Sequence, residues 1–288
     1  MYLCSLWSYL LAVRNRIGKP QAKSEEKSIT LSLFLGIQDT FLPLVQNDLL
    51  TFYYNFFPYR VIYNHYHAFT VLCEAYKDEL TQALQLTDNH KLKAISTPIP
   101  SVSTPYSLQK ENVLLYVGRM SYKDKRVDRL VSIWEMIYEQ FPDWQFFLVG
   151  DGKELPKLRA MVEERSLPRI TFVGKTDDIY PYYNKAAIFC LSSQMEGQGT
   201  VLMEAQQAGV VPIAFDCSAG VRGILAPNGV NGILVKPFDM NDYAHQLSEL
   251  MHNASLRNEI QQNIIPKSND YSIETIVKQW DELFKTIL

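Results

Sequence analysis

The sequence predicts an α/β fold, with a doubly wound parallel sheet over residues 112–270 and a shorter front region of different character. Three observations lead there. Apolar runs of four to six residues recur without the alternation of a half-exposed strand, as burial on both faces requires. Helical patterns separate these runs at the spacing of βαβ units. Eleven of the thirteen glycines lie after residue 117, and several close the C-terminal ends of the apolar runs. A glycine turn there lets backbone amides approach a ligand, and such sheet edges hold nucleotides and phosphates.

In chain order, the predicted strands cover residues 113–117, 145–149, 170–173, 188–191, 211–215 and 232–235. Helices are expected between them at residues 127–140, 155–164, 179–185 and 201–208. Turns at Gly118-Arg119, Gly150-Asp151-Gly152 and Gly197-Gln198-Gly199 follow the first, second and fourth strands. The chain closes in helices near residues 241–251, 255–264 and 273–287. Residues 1–100 contain only Gly18 and Gly36, and nine Phe or Tyr residues crowd between Phe52 and Phe69. Strands are expected there at residues 30–35, 69–72 and 92–95, with a helix at 74–84. Residues 96–107 carry Pro98, Pro100 and Pro105 among Ser and Thr, the composition of an extended linker. These boundaries divide the chain into a front domain (1–97), a linker (98–111), a nucleotide-binding domain (112–270) and a closing helix (271–288).

Composition sets outer limits. A net charge of −3 supplies no basic field for nucleic acid. Cys4, Cys73, Cys190 and Cys217 are far apart, which reads as reduced thiols in a cytosolic protein, and the five histidines form no metal-type cluster. The apolar segment 2–13 is too short to span a bilayer. It is followed by Arg14, Arg16, Lys19 and Lys23, so a packed first helix and a segment resting on an anionic membrane surface both stay open. The aromatic stretch 52–69 likewise reads as packed core or as a lipid-facing surface. Lys23–Lys27 reads as a solvated loop.

The chemistry-bearing residues cluster at three strand ends. In Q-M-E-G-Q-G-T-V-L-M-E-A, Gly197 and Gly199 open a turn and Thr200 begins a helix, a natural anion site. Glu196 precedes that helix and Glu204 lies in its second turn; were both helical, they would stand ~12 Å apart along the axis. A hydrolase pair flanks one bond at about 5–9.5 Å. Two carboxylates set further apart suit the hydroxyl-rich ends of a long ligand with a diphosphate between them, which describes a nucleotide-sugar. Arg119 follows a buried strand, and Lys123, Lys125 and Arg126 come before the next helix. Such cations neutralise a departing diphosphate, whereas Lys123 and Arg129 read as solvated. Gly174-Lys175 after the third strand would let the backbone approach a base or ribose, or form a simple turn.

The ordered set V-G-R (117–119), Lys125, V-G-D-G (149–152), F-V-G (172–174), E-G-Q-G-T-V-L-M-E-A (196–205) and N-G-I-L-V (231–235) resembles the donor domain of retaining glycosyltransferases of family 4. Residues 70–76 and 94–100 more loosely resemble that family's last front-domain strands and interdomain segment. The resemblance implies the GT-B fold, two Rossmann-like domains facing across a cleft with the last helix crossing back. It implies a metal-independent hexosyltransferase of bacterial surface polysaccharide, capsule or lipopolysaccharide synthesis, located in the cytoplasm. The donor would be a UDP-type nucleotide sugar with no further cofactor. The acceptor would be a lipid-linked or oligosaccharide chain, with peripheral inner-membrane contact. Arg119 and Lys125 would hold the diphosphate and Glu196 the donor sugar. Gly118, Gly152, Gly174, Lys175, Gly197, Gln198, Gly199, Thr200, Val201 and Leu202 would line the donor, and Glu204 would take both ribose hydroxyls. Lys125 stands one place later than in the commonest motif, which keeps Lys123 as a substitute. Gln198 stands where an aromatic or apolar residue is usual.

The front departs from that pattern. The family's first domain has some 150 or more residues and an early glycine-rich loop; here about 100 residues precede the linker and none forms such a turn. His65 and His67 read as core or edge histidines rather than as a catalytic histidine. A truncated product, a partner subunit of a split enzyme and a degenerate sugar-nucleotide-binding remnant therefore stand as alternatives. A nucleotide-sugar epimerase is a third reading, without an evident acid/base carboxylate pair.

Overall fold

Sheet order explains why the functional loops converge. In a computed structural model describing residue 63, residues 67–102 and residues 105–287, the strands are β1 (Phe69–Val71), β2 (Leu92–Ala94), β3 (Val113–Val117), β4 (Gln145–Val149), β5 (Ile170–Gly174), β6 (Ile188–Leu191), β7 (Val211–Phe215) and β8 (Ile233–Val235). The last six form one sheet in the order β5-β4-β3-β6-β7-β8. Every described pairing in it is parallel. The chain runs outward from β3 to β5, returns to the middle at β6 and runs outward again. The reversal lies between β3 and β6, and in such sheets ligands bind beyond the C-terminal ends of the strands at that point. The expectations placed on residues 1–62, on His65 and on the aromatic stretch up to residue 62 lie outside the described residues.

Strand burial follows the runs read from sequence. Residues 188–191 and 211–215 are buried throughout, whereas edge strand β5 has no buried residue. Trp134 is completely buried, meets Phe146 edge-on at 6.1 Å, and donates its indole N–H to the Pro168 carbonyl at 3.0 Å. Thus a helix, a strand and the turn before β5 share one anchor.

The helices are α1 (Glu74–Ala83), α2 (Val127–Ile137), α3 (Leu155–Glu164), α4 (Tyr180–Lys185), α5 (Thr200–Gln207), α6 (Ala219–Leu225), α7 (Met240–His252), α8 (Ala254–Ser268) and α9 (Ile273–Ile287). Side-chain caps set several starts. Asp239 accepts from the Asp242 amide at 3.0 Å, and Asn253 from the Leu256 amide at 3.0 Å. Helix α6 was not expected from sequence, because two glycines in A-G-V-R-G-I-L depress its helix propensity. Ser218, which caps it by accepting from the Val221 amide at 3.3 Å, was the available signal.

The described front residues form a βαβ unit. Strand β1 pairs with β2 in parallel register, Phe69 opposite Leu92, and α1 connects them. Tyr63, Phe69, Leu80, Leu84 and Leu92 make its core. Helix α9 returns to this unit: Ile276, Trp280 and Leu283 pack on Ala68 and Ile95. His67 lies in an exposed bend before β1, so it is not a core histidine. Cys190 and Cys217 are buried free thiols, each pushed up to about 12 by desolvation.

Hydrogen bonds join the strand-end loops to one another. The Gly118 amide donates to the Val149 carbonyl at 3.0 Å, Gly150 to Gly174 at 2.8 Å, and Met120 to Asp151 at 2.9 Å. Gly150 has φ +130°, and a Cβ there would overlap the Gly118 carbonyl oxygen. Gly150→Ala is therefore expected to lower unfolding free energy by about 3 kcal/mol, measured by urea denaturation against wild type.

Candidate functional site

The site forms where the β3–α2 and β6–α5 loops meet at the reversal of strand order. Lys125 Nζ lies 2.6 Å from Glu196 Oε1, with side chains 22% and 8% exposed. Ser193 Oγ donates to the same carboxylate oxygen at 2.6 Å. A carboxylate so little exposed is costly to bury without such partners. Backbone contacts set their separation. The Gln194 amide donates to the Asp124 carbonyl at 2.7 Å, and Ser192 Oγ donates to the Arg126 carbonyl at 2.8 Å. Arg126 adopts left-handed backbone, φ 48°, and this turn carries Lys125 toward Glu196.

Arg129 corrects the sequence reading. It was expected to be solvated, yet it is buried. Its guanidinium donates to the Ser192 carbonyl at 3.3 Å and to Gln194 Oε1, and lies 4.5 Å from the centre of the Phe238 ring. Arg129 thus supports the Glu196 loop from beneath. No signal in the charge run Lys123–Arg129 separates this arginine from its less buried charged neighbours.

Arg119 remains mostly exposed and pairs with Asp124. Its carbonyl accepts from Tyr116 Oη at 2.9 Å, and a Cβ at Gly118 would crowd that hydroxyl. A Cβ at Gly152 would overlap the Met120 carbonyl. Glycine at 152 is thus already required by packing between the loops, and at 118 by the Tyr116 hydroxyl beneath it. Gly174, φ +84°, has open space where a Cβ would stand, and Lys175 beside it is exposed.

Helix α5 begins at Thr200 with Gly199 as its cap in left-handed backbone, φ 77°. Glu196 therefore lies in the loop, and the helical-axis spacing between Glu196 and Glu204 does not apply. Helix geometry leaves the amides of Thr200 and Val201 without acceptors inside the helix. The Leu202 amide, expected to face the donor, instead donates to the Gly199 carbonyl at 2.8 Å. The Gln198 side chain is engaged away from this helix start. It is buried, its Oε1 accepts from the Thr97 amide at 2.9 Å, and its Nε2 donates to the Leu72 carbonyl at 3.1 Å and to Ser96 Oγ. Gly197 turns its carbonyl to Tyr76 Oη at 2.6 Å.

Glu204 stands further along α5. Burial pushes its carboxyl above the usual range, and the Tyr183 hydroxyl, donating to Oε2 at 3.2 Å, only partly offsets this. Ser193, Tyr183 and Tyr76 were not singled out in the sequence, because Ser and Tyr in apolar runs look like ordinary core. Gly220 was missed too; a Cβ there would overlap the Gly197 carbonyl. Among the described residues no cluster of His, Cys, Asp or Glu is arranged for a metal ion, and no helix is long and apolar enough to cross a membrane.

A 3-2-1-4-5-6 parallel sheet with a carboxylate–lysine pair and a helix N-terminus at its reversal is a doubly wound, Rossmann-like domain of the GT-B kind. The chain belongs to the glycosyl transferases group 1 family, whose model matches residues 105–266, more than half its length. An uncharacterised glycosyltransferase of Haemophilus influenzae is 30% identical over 210 residues, covering 70% of this chain and 58% of that protein. The amylovoran biosynthesis glycosyltransferase AmsD of Erwinia amylovora is 31% identical over 177 residues, 61% and 48% of the two chains. A crystal structure of a TarM mutant from S. aureus, in complex with Fondaparinux, alpha-GlcNAc-glycerol and UDP, superposes with a TM-score of 0.67 at 26% identity, covering 77% of this chain and 44% of that one. The chain spans about half the length of the curated relatives it matches.

The raised Glu204 pKa gives a signed pH effect. Between its unfolded and folded values the folded state holds more protons, so stability falls as pH rises through that window. Neutral Glu204→Gln is therefore expected to raise Tm near pH 7 and to change it little near pH 4, measured by scanning calorimetry at both pH values.

Proposed function

We propose that this protein is a retaining glycosyltransferase of surface polysaccharide assembly. It moves a hexose from a UDP-type sugar nucleotide to a lipid-linked or oligosaccharide acceptor at the cytoplasmic face of the membrane. The observation carrying this reading is the half-buried Lys125–Glu196 pair beside the N-terminus of α5, with Glu204 on the same helix. The complex of a TarM mutant with UDP supports it by fold and by sequence.

The residues divide the work. Glu204 accepts the ribose hydroxyls, and the amides of Thr200 and Val201 with Lys125 and Arg119 receive the diphosphate. Glu196 holds the sugar against them. Arg119 already carries an anionic partner in Asp124, which the diphosphate replaces at little cost because both groups are partly exposed. The largest catalytic term is stabilisation of charge developing on the departing diphosphate, together with positioning of the sugar. The chemistry needs no metal, since the cations and amides supply the positive field.

Each charge-assisted hydrogen bond contributes about 1.5–3 kcal/mol. Glu196→Ala and Arg119→Ala are therefore each expected to cut kcat/KM at least tenfold, assayed with UDP-hexose donors and polyprenyl-linked acceptors. Unchanged turnover in either variant ends the assignment. NMR of the new glycosidic bond tests retention, because an inverted anomer excludes it. UDP binding without transfer or donor hydrolysis would assign the chain to sugar-nucleotide binding alone.

A further inference from the structure

We infer that Gln198 is a positioning residue that latches the donor loop to the front segment, so that donor occupancy and the front segment's order are linked. The inference rests on the donor reading above only for its second half. The latch itself is read from contacts between residues more than a hundred positions apart.

The β6–α5 loop carries Glu196 and leads into the amides at the start of α5. One side of it is held by its own domain, through Lys125, Ser193 and Arg129's contacts to residues 192 and 194. Its other side is held by the front segment. The buried Gln198 carboxamide uses its oxygen on the Thr97 amide and its nitrogen on the Leu72 carbonyl and Ser96 Oγ. Leu72 follows β1, and Ser96 and Thr97 follow β2, so one side chain bridges the C-terminal ends of both front strands. An apolar side chain there would remove the partner that these half-buried groups now share.

Two further contacts fix the same seam. Tyr76 Oη, on α1, donates to the Gly197 carbonyl at 2.6 Å, and desolvation holds its hydroxyl protonated with a pKa pushed up to about 12. Gly220 leaves room for the Gly197 carbonyl, and Cys73 Sγ lies 3.5 Å from the Ala219 carbonyl, so α6 closes the third side. The main chain from Gly197 to Gly199 is thus framed by front-segment donors and acceptors. A ligand that orders this loop also orders residues 72, 96 and 97, and the reverse holds by linkage.

Hydrogen–deuterium exchange on the full chain tests this with Gln198→Met, which keeps the bulk and removes the three hydrogen bonds. Without ligand, peptides covering residues 92–99 and 194–202 are expected to exchange about tenfold faster in the variant, while β7 is unchanged. Unchanged exchange in both peptides overturns the latch. In wild type, UDP is expected to slow exchange in residues 92–99 as well as 194–202, and in Gln198→Met only in 194–202. Wild type that binds UDP without slowing residues 92–99, or a variant that transmits the effect undiminished, overturns the linkage. Failure of wild type to bind UDP instead ends the donor reading, and the ligand-free comparison still decides the latch. If Gln198→Met does not fold, Tyr76→Phe removes one contact of the same seam and is read the same way, with a smaller ligand-free increase.

Discussion

The pairing of Lys125 with Glu196 is the interaction on which the rest of the site depends. Sheet order dictates where it sits, since β3 and β6 are neighbours in space but separated in sequence by two βαβ excursions. A carboxylate only 8% exposed is costly unless its charge is met. Here one ammonium and one hydroxyl meet it. Arg129 and Ser192 hold the loops that carry both members, so a buried arginine on α2 sets the position of a carboxylate more than sixty residues later.

Glycines serve that same closeness. At 150, 152 and 220 the space for a side chain is already taken by a neighbouring loop's carbonyl oxygen, and at 118 it is crowded by the Tyr116 hydroxyl. At 174 it is open, and there the absent side chain leaves room toward solvent and any base bound at the rim. The same residue type therefore has two roles, which only neighbouring coordinates can separate.

Much of the sheet was legible in the sequence. The runs 113–117, 145–149, 188–191 and 211–215 match β3, β4, β6 and β7 residue for residue, because central strands buried on both faces tolerate no polar interruption. Helix α6 was not legible, because glycine masks its helical character. Among the candidate site residues, Glu196, Lys125 and Glu204 stood out through motif and context. The supporting residues Arg129, Ser193 and Tyr183 did not, since nothing in their local sequence marks the partners they take. Gln198 shows the limit well: its place in the motif says nothing of the carboxamide's partners, which are Leu72, Ser96 and Thr97.

Lys110 gives the proline-rich stretch before β3 a role beyond tethering. Its ammonium meets the carbonyls of Tyr183 at 3.1 Å, Asn184 at 3.2 Å and Ala208 at 2.7 Å, at the negative ends of α4 and α5 together. Tyr180 Oη donates to the Pro105 carbonyl at 3.0 Å, and the Ser107 amide donates to Asn184 Oδ1 at 2.7 Å. Residues 105–110 thus belong to the architecture of the second half. An engineer building chimeras from this scaffold should place the splice upstream of Pro105, because a splice downstream of Lys110 would discard the cation shared by two helix ends.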